Sequence, residues 1–193
     1  VAVLTDMSVP LCLTVGNSLE VRESFEVLAG GGPSDVVELT IALAREMLEA
    51  AGHPDADVEA ALKDGRAMDK WREMIGEQGG DPDAPLPVAA HQHDVVAESD
   101  GILSELDALK VGVASWRLGA GRARKEDPVQ AGAGIEIFAR PGDRVRKGQK
   151  LLTLHTDTPE RFPRALESLE GTVTVAQEAP TVAGSVILER IAR

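Results

Sequence analysis

The chain has 193 residues, 32 Asp and Glu against 20 Lys and Arg, and 43% hydrophobic residues. That length allows one or two domains with a core, and no apolar run approaches the ~20 residues of a membrane helix. A net charge of −12 argues against a nucleic-acid or anionic-membrane surface, since both depend on Lys and Arg. No Tyr, two Trp and three Phe argue against a base-stacking platform as well. A single Cys12 cannot form an internal disulfide, so nothing points to an oxidising compartment. The composition predicts a soluble, acidic, cytoplasmic protein.

The chain opens on Val1-Ala2-Val3-Leu4-Thr5-Asp6-Met7, with no initiator Met and no signal-peptide pattern. The aliphatic run predicts a buried strand that reaches a functional edge at Thr5-Asp6. Such an opening leads us to expect a fragment whose partner strands lie upstream. A loop from Ser8 to Gly16 follows. Asn17 with Glu20 three residues later predicts a helix N-cap with its capping-box partner. Val21, Phe25 and Leu28 make the apolar stripe, and Gly30-Gly31-Gly32 stops the helix. The next helix carries Pro33 and Asp35 in its first turn and a stripe of Val36, Leu39, Leu43 and Met47, widened by Ile41 and Leu48. Gly52 and Pro54 end it. Residues 57–79 predict two short helices broken at Gly65, with Met68, Trp71 and Ile75 buried.

The turn-rich stretch Gly79 to Pro87 changes the grammar. Beyond it the pattern predicts strands at 92–97 and 102–106, a helix from about 107 to 118, and strands near 133–139 and 151–155. A helix near 158–170 and strands at 172–176 and 185–191 complete it. Pro141-Gly142-Asp143 and Lys147-Gly148-Gln149 read as paired turns. The class is α/β. Residues 1–80 are expected to supply helices that dress a parallel sheet, and 81–193 an α+β module rich in antiparallel hairpins.

Few residues invite chemistry. His91 and His93 alternate on a strand and share a face, but no third ligand has matching spacing, so surface histidines on an edge strand are the simpler reading. His53 and His155 have no visible catalytic partner. Gly119-Ala120-Gly121-Arg122 follows a helix and opens none, so neither dinucleotide nor P-loop spacing is met. Arg122, Arg124 and Lys125 with Glu126 and Asp127 are expected to lace a loop together. The segment Gly142 to Leu152 resembles the hairpins of lipoyl and biotinyl carrier domains, yet Lys110 reads as helical rather than as a lysine displayed on a tight turn. Glu23 is offset from the Val21 stripe and reads as solvated. Cys12 has no nearby His. No catalytic residue is assigned.

Longer motifs say more. Leu4-Thr5-Asp6-Met7, Pro10-Leu11, Gly16-Asn17, Leu19-Glu20-Val21-Arg22-Glu23 and Leu28-Ala29-Gly30 resemble the middle of the pyrimidine-nucleoside and thymidine phosphorylases. Gly112-Val113-Ala114, Leu118 to Arg122, Lys125-Glu126-Asp127, Gly142-Asp143, Val145, Lys147-Gly148 and Leu151 resemble that family's C-terminal module in order and spacing. The resemblance covers essentially the whole chain. It implies the C-terminal part of a mixed-sheet α/β phosphate-binding domain over 1–80, then an α+β hammerhead, barrel-sandwich-like, over 81–193. It also implies a homodimeric pentosyltransferase that uses phosphate to cleave thymidine to thymine and 2-deoxyribose 1-phosphate. Phosphorolysis needs a phosphate cradle, groups that take up charge on the departing base, and closure that excludes water. In the family those residues precede the Thr5-Asp6-Met7 segment, so none is carried over.

One family site does transfer. The resemblance implies a potassium ion held by the carbonyl oxygens of Leu11 and Thr14 and the carboxylate of Glu23, completed from upstream. Oxygen donors suit such a hard cation. Cys12 stands where Gly is expected and Thr14 where Ala is common, and Cys12 could alter the loop's backbone angles. A competing reading is a non-catalytic hammerhead or barrel-sandwich binding or carrier module. A third is a related phosphoribosyl-transfer enzyme.

Overall fold

A computed structural model describes residues 1–178, 180 and 184–192. The described residues form two compact units. The first comprises Val1–Asp6, Arg22–Leu86 and Ser185–Arg193, the second Met7–Val21 and Pro87–Gly184.

In the first unit, β1 (Ala2–Thr5) pairs antiparallel with β9 (Ile187–Ile191), Ala2 opposite Ile191 and Thr5 opposite Ile187. The expected buried opening strand is not observed. Val1 is 75% and Leu4 46% exposed, and β1 alternates between half-buried and exposed positions. The expected parallel sheet is absent too: every strand pairing among the described residues is antiparallel.

Four helices accompany this pair. α1 (Ser18–Leu28) buries Leu19, Glu23 and Val27, one residue per turn, rather than the Val21 line. Val21 is 39% exposed, and the expectation of a solvated Glu23 is corrected: Glu23 is only 7% exposed. The capping box also forms differently. Glu20 Oε1 accepts from the backbone N–H of Gly16, and Asn17 Nδ2 donates to the Ala120 carbonyl. α2 (Ser34–Ala50) follows Pro33 as expected, but its stripe is turned outward at Leu43 and Met47, which are both exposed. The guanidinium of Arg190 in β9 grips Glu46 of α2 with two hydrogen bonds, 2.5 and 3.0 Å, which holds the Glu46 carboxyl below its usual range. α3 (Val58–Lys63) and α4 (Arg66–Glu77) are separated at Gly65, whose φ of 90° ends one helix and starts the next. Trp71 of α4 packs edge-on against Phe25, ring centroids 5.6 Å apart.

The second unit holds the apolar core. A four-stranded antiparallel sheet has the order β2 (Thr14–Gly16), β5 (Gly134–Ile137), β7 (Lys150–Thr156), β3 (His91–Val96). A three-stranded sheet has the order β6 (Arg144–Val145), β4 (Gly101–Glu105), β8 (Thr174–Ala176). α5 (Ala108–Ser115) and α6 (Phe162–Leu169) complete it. Alternation decides which side chains enter the core: Ile135, Ile137, Leu152 and Leu154 from one sheet join Leu103 and Val145 from the other, with Val111, Leu118 and Leu169. α5 passes directly into a π-turn at Trp116–Ala120, where Gly119 takes a φ of 112°. Gly142 and Gly148, with φ of 99° and 82°, bracket the short strand β6 as the paired turns predict.

Candidate functional site

The loop that enters β2 is fixed by its carbonyl groups. Cys12 O accepts from the Arg140 guanidinium at 2.8 Å, Leu13 O from Ile137 N at 2.8 Å, and Val15 O from Ser115 Oγ at 3.1 Å. Since Leu13 bonds to β5, strand alternation turns the Thr14 carbonyl to the outer edge of β2. Leu11 lies in the bend before it and is 36% exposed. Between them Cys12 adopts a φ of 64°, the left-handed region that Gly occupies freely. Cys12 therefore keeps a backbone angle suited to Gly, at a cost of about 1–2 kcal/mol for an L-residue. Leu11 and Thr14 fall in the second unit, whereas Glu23 falls in the first, on the buried line of α1. Two carbonyls and one carboxylate remain a fitting donor set for a hard cation.

The face of the four-stranded sheet away from the core is polar. His155 Nε2 lies 2.7 Å from Glu136 Oε2, with the His155 side chain only 5% exposed. His155 thus has a carboxylate partner, which sequence reading missed. The partner comes from a neighbouring strand, and only the register that sets Gly134 opposite His155 and Glu136 opposite Thr153 brings it near. Farther along this face Asp94 accepts from Thr153 Oγ1 at 2.7 Å and pairs with Lys150 Nζ at 2.9 Å. The Thr153 hydrogen bond, then Lys150, holds the Asp94 carboxyl below its ordinary range. Lys150 Nζ also sits 5.3 Å from the centre of the Phe138 ring.

The remaining candidates settle as structure. His91 and His93 lie on β3, at the edge of its sheet, and His93 packs against the Phe162 ring at 5.5 Å. Among the described residues no cluster of three or more His, Cys, Asp or Glu is placed to hold a metal ion. The loop after Gly119 is laced as expected: Arg122 donates to Lys125 O, and Arg124 N donates to Asp127 Oδ2. Lys110 lies within α5, its Nζ donating to Glu170 O at 3.2 Å, so it is not displayed on a hairpin. Among the described residues no helix is long and apolar enough to cross a membrane.

Residues 102–176 match the pyrimidine nucleoside phosphorylase C-terminal domain. The chain is 50% identical over 190 residues to a thymidine phosphorylase of Mycobacterium tuberculosis, a match that covers 98% of the chain and 44% of that protein. It is 38% identical over 201 residues to a pyrimidine-nucleoside phosphorylase of Staphylococcus epidermidis, covering 97% of the chain and 46% of the relative. To the pyrimidine-nucleoside phosphorylase of Bacillus subtilis it is 39% identical over 189 residues, covering 92% and 43%. The chain spans less than half the length of these relatives.

Proposed function

With a chain of the thymidine and pyrimidine-nucleoside phosphorylase family as the starting point, we propose that it forms the C-terminal part of a pentosyltransferase. In complete form, that enzyme uses inorganic phosphate to cleave thymidine to thymine and 2-deoxyribose 1-phosphate. The observation that carries this reading is the 50% identity maintained over 190 residues to a thymidine phosphorylase. Phosphate and a pyrimidine deoxynucleoside are then the substrates, and a homodimer is the proposed assembly. In this reading the second unit forms the hammerhead-like module and serves closure around the substrates rather than the chemical step. The phosphate cradle and the groups that meet the base then lie in the part of the relatives that precedes Thr5, outside this chain. Loss of a single transition-state donor costs roughly 10²–10³-fold in rate. An absorbance assay of base release from thymidine tests the proposal. The chain alone gives no turnover, and activity appears on mixing with a polypeptide that supplies the remaining length of the relatives. Turnover by the chain alone would overturn this division of labour.

We further propose that the complete enzyme holds a potassium ion through the carbonyl oxygens of Leu11 and Thr14 and the carboxylate of Glu23. The burial of Glu23 and the outward Thr14 carbonyl support it. Crystals of the complete protein soaked in rubidium should show anomalous density at these oxygens. Density absent there, with Glu23 engaged only by protein groups, removes the site.

A further inference from the structure

Although the chain carries a net charge of −12, six of its 20 Lys and Arg gather in two short stretches of the second unit. They are Arg117, Arg122, Arg124, Lys125, Arg161 and Arg164. Three of these arginines, Arg117, Arg161 and Arg164, line a cavity of about 290 Å³ together with Trp116 and the loop from Gly121 to Pro128. Trp116 is 39% exposed there.

The cavity's contacts offset part of its positive charge and leave Arg161 and Arg164 without an ion pair among the described residues. Arg117 Nη1 donates to Arg164 O at 2.7 Å and to Glu167 Oε2 at 3.0 Å. Its Nε is buried and has no hydrogen-bond partner among the described residues, an arrangement that costs free energy unless an acceptor meets it. Arg161 Nη1 donates to the Arg117 carbonyl at 3.4 Å. The one lining carboxylate, Asp127, accepts the backbone N–H of Arg124 at 2.8 Å, and its single negative charge stands against the three lining arginines. Arginine forks prefer the oxygens of phosphate, which they bind in pairs of hydrogen bonds. An indole beside them offers a flat apolar face to a ring. The volume of about 290 Å³ is just below the about 300–1,000 Å³ usual for small-molecule sites, which limits the occupant to a small nucleotide. The acidic remainder of the chain repels a long polyanion, so the ligand is small.

We propose that the cavity bounded by Trp116, Arg117, Arg161 and Arg164 is a binding site for a nucleoside monophosphate, its phosphate on Arg161 and Arg164 and its base on Trp116. The site lies in the closure module and is independent of the substrate chemistry proposed above.

Trp116 supplies the readout. In a Trp71→Phe background it is the only indole of the 193-residue chain, and Phe preserves the ring contact with Phe25. Uridine 5′-monophosphate should change its fluorescence saturably in the sub-millimolar range, inorganic phosphate should bind at least ~10-fold more weakly, and uridine should give no saturation. Arg161→Gln and Arg164→Gln should each weaken the nucleotide by about 10-fold or more, and Arg164→Lys by less than Arg164→Gln, because charge survives but the fork does not. Both positions are outside the apolar core, and an unchanged circular dichroism spectrum checks folding. No saturable change up to ~10 mM nucleotide, or saturation indifferent to both Gln variants, overturns the site. Phosphate binding as tightly as the nucleotide overturns the assignment of the base to Trp116.

Discussion

Arg140 donates from its guanidinium to the carbonyl oxygen of Cys12 over 2.8 Å, across 128 positions of sequence. This bond anchors the loop at the residue whose backbone is strained, since Cys12 holds a φ of 64°. Cys12→Gly should relieve the strain and raise stability by about 0.5–1 kcal/mol, the left-handed penalty less the entropy Gly gains in the unfolded chain. Cys12→Val should lower it by at least ~1 kcal/mol, because a β-branched residue fits this region worst. Urea midpoints at constant slope check both. A Gly variant less stable than the parent would show that the Cys12 side chain contributes more than its backbone angle costs.

The pair of Glu136 and His155 predicts a strong coupling. Glu136→Ala leaves a buried imidazole nitrogen without this partner and should destabilise the second unit by about 1–3 kcal/mol. A double-mutant cycle with His155→Ala should return a coupling of roughly 0.5–3 kcal/mol. Additive losses in the cycle would mean that the contact contributes nothing beyond packing.

Acid sensitivity should trace in part to Asp94. Its carboxyl titrates lower in the folded chain than its ordinary 3.8, because Thr153 and Lys150 favour the charged form. The stabilisation is therefore complete above about pH 4 and is lost as pH falls through the lower folded value. Asp94→Asn should flatten the stability profile below about pH 4 and leave its neutral portion parallel to the parent's. Denaturant midpoints between pH 2 and 7 read this out.

Two glycines of one unit should respond in opposite directions. A Cβ on Gly134 would stand 2.4 Å from the Val15 carbonyl oxygen, closer than the paired strands β2 and β5 can allow. Gly134→Ala should separate or distort that pairing and cost at least about 2 kcal/mol. Gly112, inside α5, meets nothing within 4 Å, and Gly112→Ala should stabilise by about 0.5–1 kcal/mol. Thermal melts of both variants, compared with the parent, check the pair.

Much of the second unit was legible because its strands are short, alternating and punctuated by Gly and Pro. β3, β4, β5 and β7 lie within a residue or two of their expected positions. Lys110 within a helix and the laced loop after Gly119 were legible for the same local reasons. α1 was not: its buried line contains a carboxylate, so periodicity favoured Val21 and Phe25 over Leu19, Glu23 and Val27. β1 reads as a core strand by composition, yet among the described residues its strand partner is β9, and its positions alternate between exposed and half-buried. Long-range pairs such as Glu136 with His155, Arg140 with Cys12 and the arginines around Trp116 depend on register and on helix packing. No local pattern encodes those.

The pairing of β1 with β9 has a consequence for biosynthesis. Residues 2–5 emerge from the ribosome before every described strand of the second unit, and their partners at 187–191 emerge only after those strands. The core of the second unit can therefore condense while β1 still lacks its β9 partner, and the bonds between β1 and β9 wait until residues 187–191 have been made. A slow folding phase should belong to this closing step, during which the aliphatic Val1 to Leu4 segment is open to association with other nascent chains.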